Sequence, residues 1–313
     1  MDGLLVIDKP AGPTSHDVVV RLRQVLRERR IGHTGTLDPA ASGVLPLVLG
    51  RATRLAQFLT TADKTYDATI RLGIETDTYD AAGHVVGTQY QGPWPERSAI
   101  ERALREFRGS FLQTPPAYSA KRIAGRRSYQ AARASARDRS VPAPEAPAAV
   151  DVTARAIEII DVDESRIRLN VVCSAGFYVR SLAHDLGERL GTRAHLETLR
   201  RTRSGNSAIE DALPLAVAER SPEKALAAVI PLDRMLSHLA AVVLTDEGVR
   251  WAAHGRALDA AQVSRRLAHA GFEGAPGAAS WSVVRLLGPN GALVGIARAE
   301  RVSGPLHPYV VLV

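Results

Sequence analysis

What the chain has least of narrows its chemistry first. Cys173 is the only cysteine among 313 residues, which excludes an intramolecular disulfide and any cysteine-based zinc site. No apolar run approaches the ~20 residues needed to span a bilayer. The opening Met1-Asp2-Gly3 lacks the basic region and apolar stretch of a signal peptide, so the expected location is cytoplasmic. The nine histidines are scattered, with no His-x-x-x-His and no pairing with carboxylates at ligand spacing, which argues against a metal centre. No Gly-x-Ser-x-Gly is present for a hydrolase nucleophile. Lysine is scarce too: Lys9, Lys64, Lys121 and Lys224 are the only ones among 40 basic residues.

The rest of the basic charge is arginine. A formal charge of +7 and a sequence pI of about 9.9 point to a polyanionic partner, and the planar guanidinium suits phosphate. High alanine content makes base composition of the gene a competing explanation. The densest run of chemistry-bearing residues is Ile31 to Gly43, which packs three glycines, three hydroxyls, His33 and Asp38 into one stretch. Pro39 pulls Asp38 out of helical dihedrals, so its carboxylate belongs on a fixed extended turn. Val44 to Leu49 then anchors that loop in a core. A rigidly held carboxylate suits a reactive site, but an Asp-Pro surface turn is equally common. Gly32-His33-Thr34-Gly35 lacks the lysine of a phosphate-binding loop, and Pro39 blocks the helix that should follow.

Taken in order, Leu4 to Ile7 reads as a buried strand. Thr14 or Ser15 then caps a helix with Val18, Val19, Leu22, Val25 and Leu26 on one face. Ala52, Leu55, Ala56 and Leu59 predict a second amphipathic helix. Lys64 to Leu72 alternates as a half-buried strand carrying Tyr66, followed by a polar turn through Thr76-Asp77-Thr78-Tyr79-Asp80. Ile100 to Phe107 marks another helix. Residues 113 to 150 hold little to bury: arginines up to Arg139 are interleaved with Tyr118 and Tyr129, and a Pro/Ala run closes the stretch. This reads as a projecting arm suited to a nucleic-acid backbone, or as a flexible insertion.

Val152 to Val162 and Arg166 to Cys173 predict paired strands. Val179 to Leu190 predicts a helix closed by Gly191, with Tyr178 and Arg180 on its first turn. An arginine there sits at the wrong end of the helix dipole, so a nearby carboxylate is its natural partner. Leu199 to Gly205 reads as a basic turn. The first domain is expected to cover residues 1–230 and a smaller, mainly β module residues 231–313, including a hairpin across Pro289-Asn290-Gly291. What remains as chemistry is one fixed carboxylate, one arginine suited to hold it ionised with a low pKa, and one tyrosine on a neighbouring strand.

These residues carry a resemblance. Gly32-His33-Thr34-Gly35-Thr36-Leu37-Asp38-Pro39 with Ala41-Ser42-Gly43 resembles the catalytic motif of the tRNA pseudouridine-55 synthases. Asp8-Lys9-Pro10 resembles that family's opening and Asp63-Lys64-Thr65-Tyr66 its tyrosine strand. Pro115 to Ala120 resembles the start of its RNA-gripping insertion. Cys173 to Arg180 with Asp185-Leu186-Gly187 resembles its arginine helix, and Leu199-Arg200-Arg201 its substrate-lining turn. The motifs span roughly residues 1 to 210 in the family's order.

The resemblance implies an α+β fold: a mixed, mainly antiparallel sheet with flanking helices and an inserted RNA-gripping arm at about 113–150. A small C-terminal domain similar to PUA-type RNA-binding modules would follow. It implies isomerisation of uridine 55 in the tRNA T-arm, with no cofactor, metal or membrane, by a chain expected to act as a monomer. Asp38 would be the nucleophile, Arg180 its ion-pair partner, and Tyr66 a base-stacking residue that assists proton movement. Tyr178 and Leu199 would line the uracil pocket, His33 would hold the flipped nucleotide, and Lys9 and Arg200 join the substrate-binding set. In isolation, Tyr66 reads equally as a core aromatic and His33 as a loop-stabilising hydrogen bond. The Pro/Ala run ending the arm and the Gly/Ala loop at 271–279 depart from the family pattern. An RNA-binding or tRNA-folding factor, and a relative acting on guide-bound rRNA, are the competing functions.

Overall fold

The computed structural model describes residues 1–117, 147–267, 282–299 and 304–313, with the backbone of 122–123 and 126–127. Most of the expected arm and the whole Gly/Ala loop lie outside these residues. The first unit is built on a mixed sheet of 11 strands. Its main strands are β1 (Gly3–Lys9), β2 (Ile31–His33), β3 (Ser42–Leu49), β4 (Lys64–Leu72), β5 (Gly109–Gln113), β6 (Val150–Asp163), β7 (Arg166–Cys173) and β8 (Ala194–Ser204). Across the sheet the order is β1-β3-β8-β4-β7-β6-β5. All of these neighbours run antiparallel except β3 and β8.

The longer helices on this sheet are α1 (Ser15–Leu26), α2 (Arg97–Leu104) and α3 (Val179–Leu190), and two short ones, Leu215–Arg220 and Pro222–Ala227, add Leu215, Ala218 and Ala225 to the α1 core. Thr14 starts α1 with a reciprocal capping box to Asp17. Gly191, at φ 66°, ends α3 in the left-handed region that a Cβ disfavours. The period-2 alternation of β1 decides what lies on each side. Leu5 and Ile7 join Val18, Val19 and Leu22 of α1 in one core. Leu4 and Val6 face the other way, into a core shared with Met235, Leu293, Ile296, Val310 and Leu312. Each such side chain contributes about 1.5–3 kcal/mol of burial.

The second unit is a five-stranded sheet of Ala241–Leu244, Val263–Leu267, Ser282–Leu287, Leu293–Ala299 and Leu306–Val311, with α4 (Asp246–Ala253) capped by Thr245. Arg51 and Arg54 donate to the carbonyls of Leu312 and Val311, tying this sheet to the first unit.

Two expectations are corrected. The stretch from Ala52 to Leu59 is not one amphipathic helix: a 3-10 turn, Gly50–Leu55, runs into a single short helical turn, Ala56–Thr60. The segment is held from outside at its start: the Gly50 amide donates to Arg30, and Arg51 is held on Asp2 and Leu312. Leu199 to Ser204 is not a turn but the end of β8, one of the longest strands of the sheet. Of its arginines, Arg201 is buried on backbone carbonyls, Arg200 is half-buried on Asp8, and Arg203 stays exposed.

Candidate active site

The Asp38 loop is held from beneath. Ser15 Oγ donates to the Leu37 carbonyl (3.0 Å) and accepts from the Leu37 amide (2.8 Å). The Pro39 carbonyl accepts from the Gly12 amide at 2.8 Å and from Lys9 Nζ at 3.4 Å. Lys9, fully buried, also donates to Pro10 and Pro13. Arg201, only 1 % exposed, donates to the carbonyls of Gly35 (3.1 Å), Thr36 (3.4 Å) and Val44 (2.7 Å). Gly43 permits that approach: at φ 103°, a Cβ there would lie 2.1 Å from the Arg201 carbonyl. Asp38 therefore projects between two anchored neighbours, Leu37 and Pro39.

Its carboxylate meets Arg180 in a bidentate pair. Arg180 Nε lies 2.9 Å from Oδ2 and Nη2 3.3 Å from Oδ1, a fork that fixes direction as well as distance. The third guanidinium nitrogen reaches the Thr78 carbonyl at 3.2 Å and Asp80 Oδ2 at 3.5 Å. Arg180 is buried, whereas 38 % of the Asp38 side chain stays open. The wrong-end arginine of α3 thus has the carboxylate that its position called for.

The expected low pKa of Asp38 is corrected. Burial pushes the carboxyl above its ordinary range and outweighs the pull of Arg180; Asp80 pushes further up, while Lys9 pulls down. Arg180 divides its charge between two carboxylates, so neither receives all of it. Burial lowers Lys9 to about 8, with Asp38 opposing and Arg201 assisting. Burial raises the Tyr66 phenol, and a hydrogen bond with Arg201 works against it.

Tyr66 stands directly across from Arg201 in the β4–β8 pairing, and Leu199 across from Ala68, which puts these side chains on one face. Tyr66 and Leu199 both pack where the two cores flanking the site meet. Asp38 acts electrostatically on Tyr66, so carboxylate, guanidinium and phenol share one region. Tyr178 occupies the cap position of α3, and the buried Gln113 side chain bonds both its amide (2.8 Å) and its carbonyl (3.0 Å). His33 ends β2 opposite Leu47, at the entrance to the loop.

Two expected substrate contacts sit differently. Lys9 is enclosed under the loop rather than facing outward. Arg200 is held by Asp8, at 2.8 and 3.1 Å, and reaches Ser42 at 3.4 Å. Sequence reasoning named Asp80, Arg201 and Ser15 without seeing that they support the site, and missed Gln113. Asp80 carried one signal, a carboxylate in a dense polar turn; Arg201 was hidden in a run of three basic positions. Among the described residues, no group of three or more His, Cys, Asp or Glu could hold a metal ion. No described helix is long and apolar enough to cross a membrane.

A half-open carboxylate gripped by a guanidinium, beside a neutral phenol, can serve as an oriented nucleophile. The model of the TruB family pseudouridylate synthase N-terminal domain matches residues 23–179. The tRNA pseudouridylate synthase B C-terminal domain model matches residues 180–237. The chain belongs to the TruB family. It is 43 % identical over 242 residues to tRNA pseudouridine synthase B of Solibacter usitatus, covering 75 % of this chain and 78 % of that one. With the protein of the same name from Burkholderia mallei it shares 38 % over 309 residues, 98 % and 96 % of the two chains. Among solved structures, an H/ACA RNP bound to a substrate RNA containing 2'-deoxyuridine is similar, with a TM-score of 0.72 and 26 % identity. That match covers 99 % of this chain and 85 % of the other. The boundary between the two family segments falls between Val179 and Arg180, yet the Asp38–Arg180 ion pair crosses it.

Proposed function

We propose that this TruB-family chain isomerises uridine 55 in the T-loop of tRNA to pseudouridine, acting as a monomer with Asp38 as the nucleophilic carboxylate. Uridine isomerisation in tRNA is the activity that the curated relatives are named for, and it is the function of this chain. The choice of uridine 55 and the roles of individual residues go further. The bidentate Asp38–Arg180 pair, on a loop whose carbonyls are bound from below, carries the residue roles, and the choice of uridine 55 rests on the likeness of the Gly32–Pro39 motif to that of the pseudouridine-55 synthases.

The reaction breaks the bond from ribose C1′ to uracil N1, turns the base, and forms a bond from C1′ to C5. The proton lost from C5 is balanced by the one gained at N1, so no outside oxidant or reductant is needed. The open side of the Asp38 carboxylate is where a flipped nucleotide enters. Tyr66 stacks on the base and, as a neutral phenol, relays a proton. Tyr178 and Leu199 line the uracil pocket, and His33 holds the nucleotide out of the T-loop. Lys9 and Arg200 serve that pocket indirectly, by fixing the Asp38 loop and the start of β3. The C-terminal sheet is the PUA-like RNA-binding module of residues 231–313.

Incubating the protein with a T-arm hairpin transcript and mapping pseudouridine tests this reading. Modification at the T-loop uridine without any guide RNA is expected. No modification there, or modification of rRNA only with a guide, would overturn it.

A further inference from the structure

We propose that the ring stack of Tyr79 on His184 holds Arg180 in register with Asp38, making both residues positioning residues for the isomerisation. The inference rests on the reading that Arg180 orients Asp38.

Tyr79 lies between the two acceptors that Arg180 uses, the Thr78 carbonyl and the Asp80 carboxylate. Its φ is 61°, a left-handed conformation that a bulky side chain rarely adopts unless its surroundings impose it. The backbone is bound on both sides: the Tyr79 amide donates to Thr76 at 3.1 Å, and its carbonyl accepts from Leu196 at 3.0 Å. The ring lies flat on His184, centroids 4.0 Å apart and planes within 8°. His184 is one helical turn beyond Arg180 on α3, so both project from the same helix face. His184 Nδ1 also lies 3.4 Å from Glu75 Oε1, just before the turn.

Three contacts therefore fasten the 75–80 turn to α3: Arg180 on Thr78 and Asp80, Tyr79 on His184, and His184 on Glu75. Asp80 is already oriented by the turn itself. Its Oδ1 accepts from Thr78 Oγ1 at 2.7 Å and from the Ala82 amide at 3.0 Å, leaving Oδ2 for Arg180. Sliding the turn along the helix would withdraw both acceptors from Arg180 Nη1 together, and the fork on Asp38 would lose its third point of support. The strained backbone at Tyr79 is what the ring stack holds in place.

The test compares the full-length wild type with Tyr79→Gly, Tyr79→Phe, His184→Ala and the Tyr79→Gly/His184→Ala pair on the T-arm hairpin. Glycine accepts the positive φ, so Tyr79→Gly relieves the strain and lets the turn form without the ring that fastens it to α3. Tyr79→Gly and His184→Ala should each lower kcat about ten-fold, with KM changed less than about two-fold. Tyr79→Phe should retain wild-type kcat. The pair should be no slower than His184→Ala alone, because that substitution already removes the ring stack together with the Glu75 contact. Arg180, Asp80 and Lys9 are the charges acting on Asp38. A loosened Arg180 lowers the Asp38 pKa less, so the acid limb of kcat should move to higher pH in Tyr79→Gly. Wild-type kcat and acid limb in Tyr79→Gly would overturn the inference, as would a lowered Tm with unchanged kcat, or additive losses in the pair. Absence of turnover by the wild type would instead overturn the proposed function.

Discussion

The underside of the Asp38 loop and its open face solve different problems with the same residue type. Beneath the loop, Arg201 spends its guanidinium on three backbone carbonyls and one phenol, and Lys9 spends its ammonium on three more carbonyls. These cations set geometry. On the open face, Arg180 spends its guanidinium on two carboxylates and one carbonyl. That cation sets charge. The division teaches that stability and reactivity at this site are separable, so substitutions on the two sides should fail in different ways.

The largest effect is expected beneath the loop. Arg201→Met leaves buried carbonyls without donors, at about 1–3 kcal/mol for each group. A loss of about 3 kcal/mol or more in denaturant unfolding is expected, with activity falling alongside it. An unchanged midpoint would show that the loop does not depend on this arginine. On the open face, Arg180→Lys keeps a positive charge but loses the fork. Turnover should fall about 10²-fold, comparable to losing an oriented catalytic donor, while the melting temperature moves by only a few degrees. Equal losses of stability in Arg201→Met and Arg180→Lys would erase the distinction between the two faces.

How much of this was legible in the sequence follows the same division. Asp38 could be read because Pro39 fixes its backbone, and Arg180 because an arginine on the first turn of a helix contradicts the dipole. The helix that carries Arg180 was legible from its period and its Gly191 stop, whereas the strands on either side of Asp38, Ile31–His33 and Ser42–Leu49, were not read as strands because glycines and a proline interrupt any alternation. Arg201 was not, because burial of an arginine leaves no trace in periodicity. The β8–β4 pairing also shifts register between Leu196 and Thr198 and again between Arg201 and Arg203, which breaks the pattern that would have marked a strand. The 3-10 winding at Gly50–Leu55 was hidden because the same apolar positions suit an α-helix, and the contacts of Arg51 with Asp2 and Leu312 beside it join residues far away in sequence.

Two smaller effects sharpen the comparison through pH. The acid limb of kcat should lie above the ordinary carboxylate value of about 4, because burial raises Asp38. A limb at or below that value would mean that Arg180 outweighs burial. Lys9 falls from 10.5 to about 8 in the folded chain. Between those values the unfolded chain binds more protons, so this residue makes stability rise with pH across the window. The difference in unfolding free energy between wild type and Lys9→Met should show that rise; a flat difference would place the ammonium outside the loop's support.

The most direct measurement pairs turnover with stability in Asp38→Asn. At neutral pH the ionised, partly buried carboxylate is held above its unfolded pKa, so its charge costs the fold stability. The amide removes that cost and leaves Arg180 paired with Asp80. The expected result is no detectable pseudouridine in the T-arm hairpin, with a melting temperature equal to or above that of the wild type. Measurable turnover in this variant, or a melting temperature several degrees lower, would contradict the account.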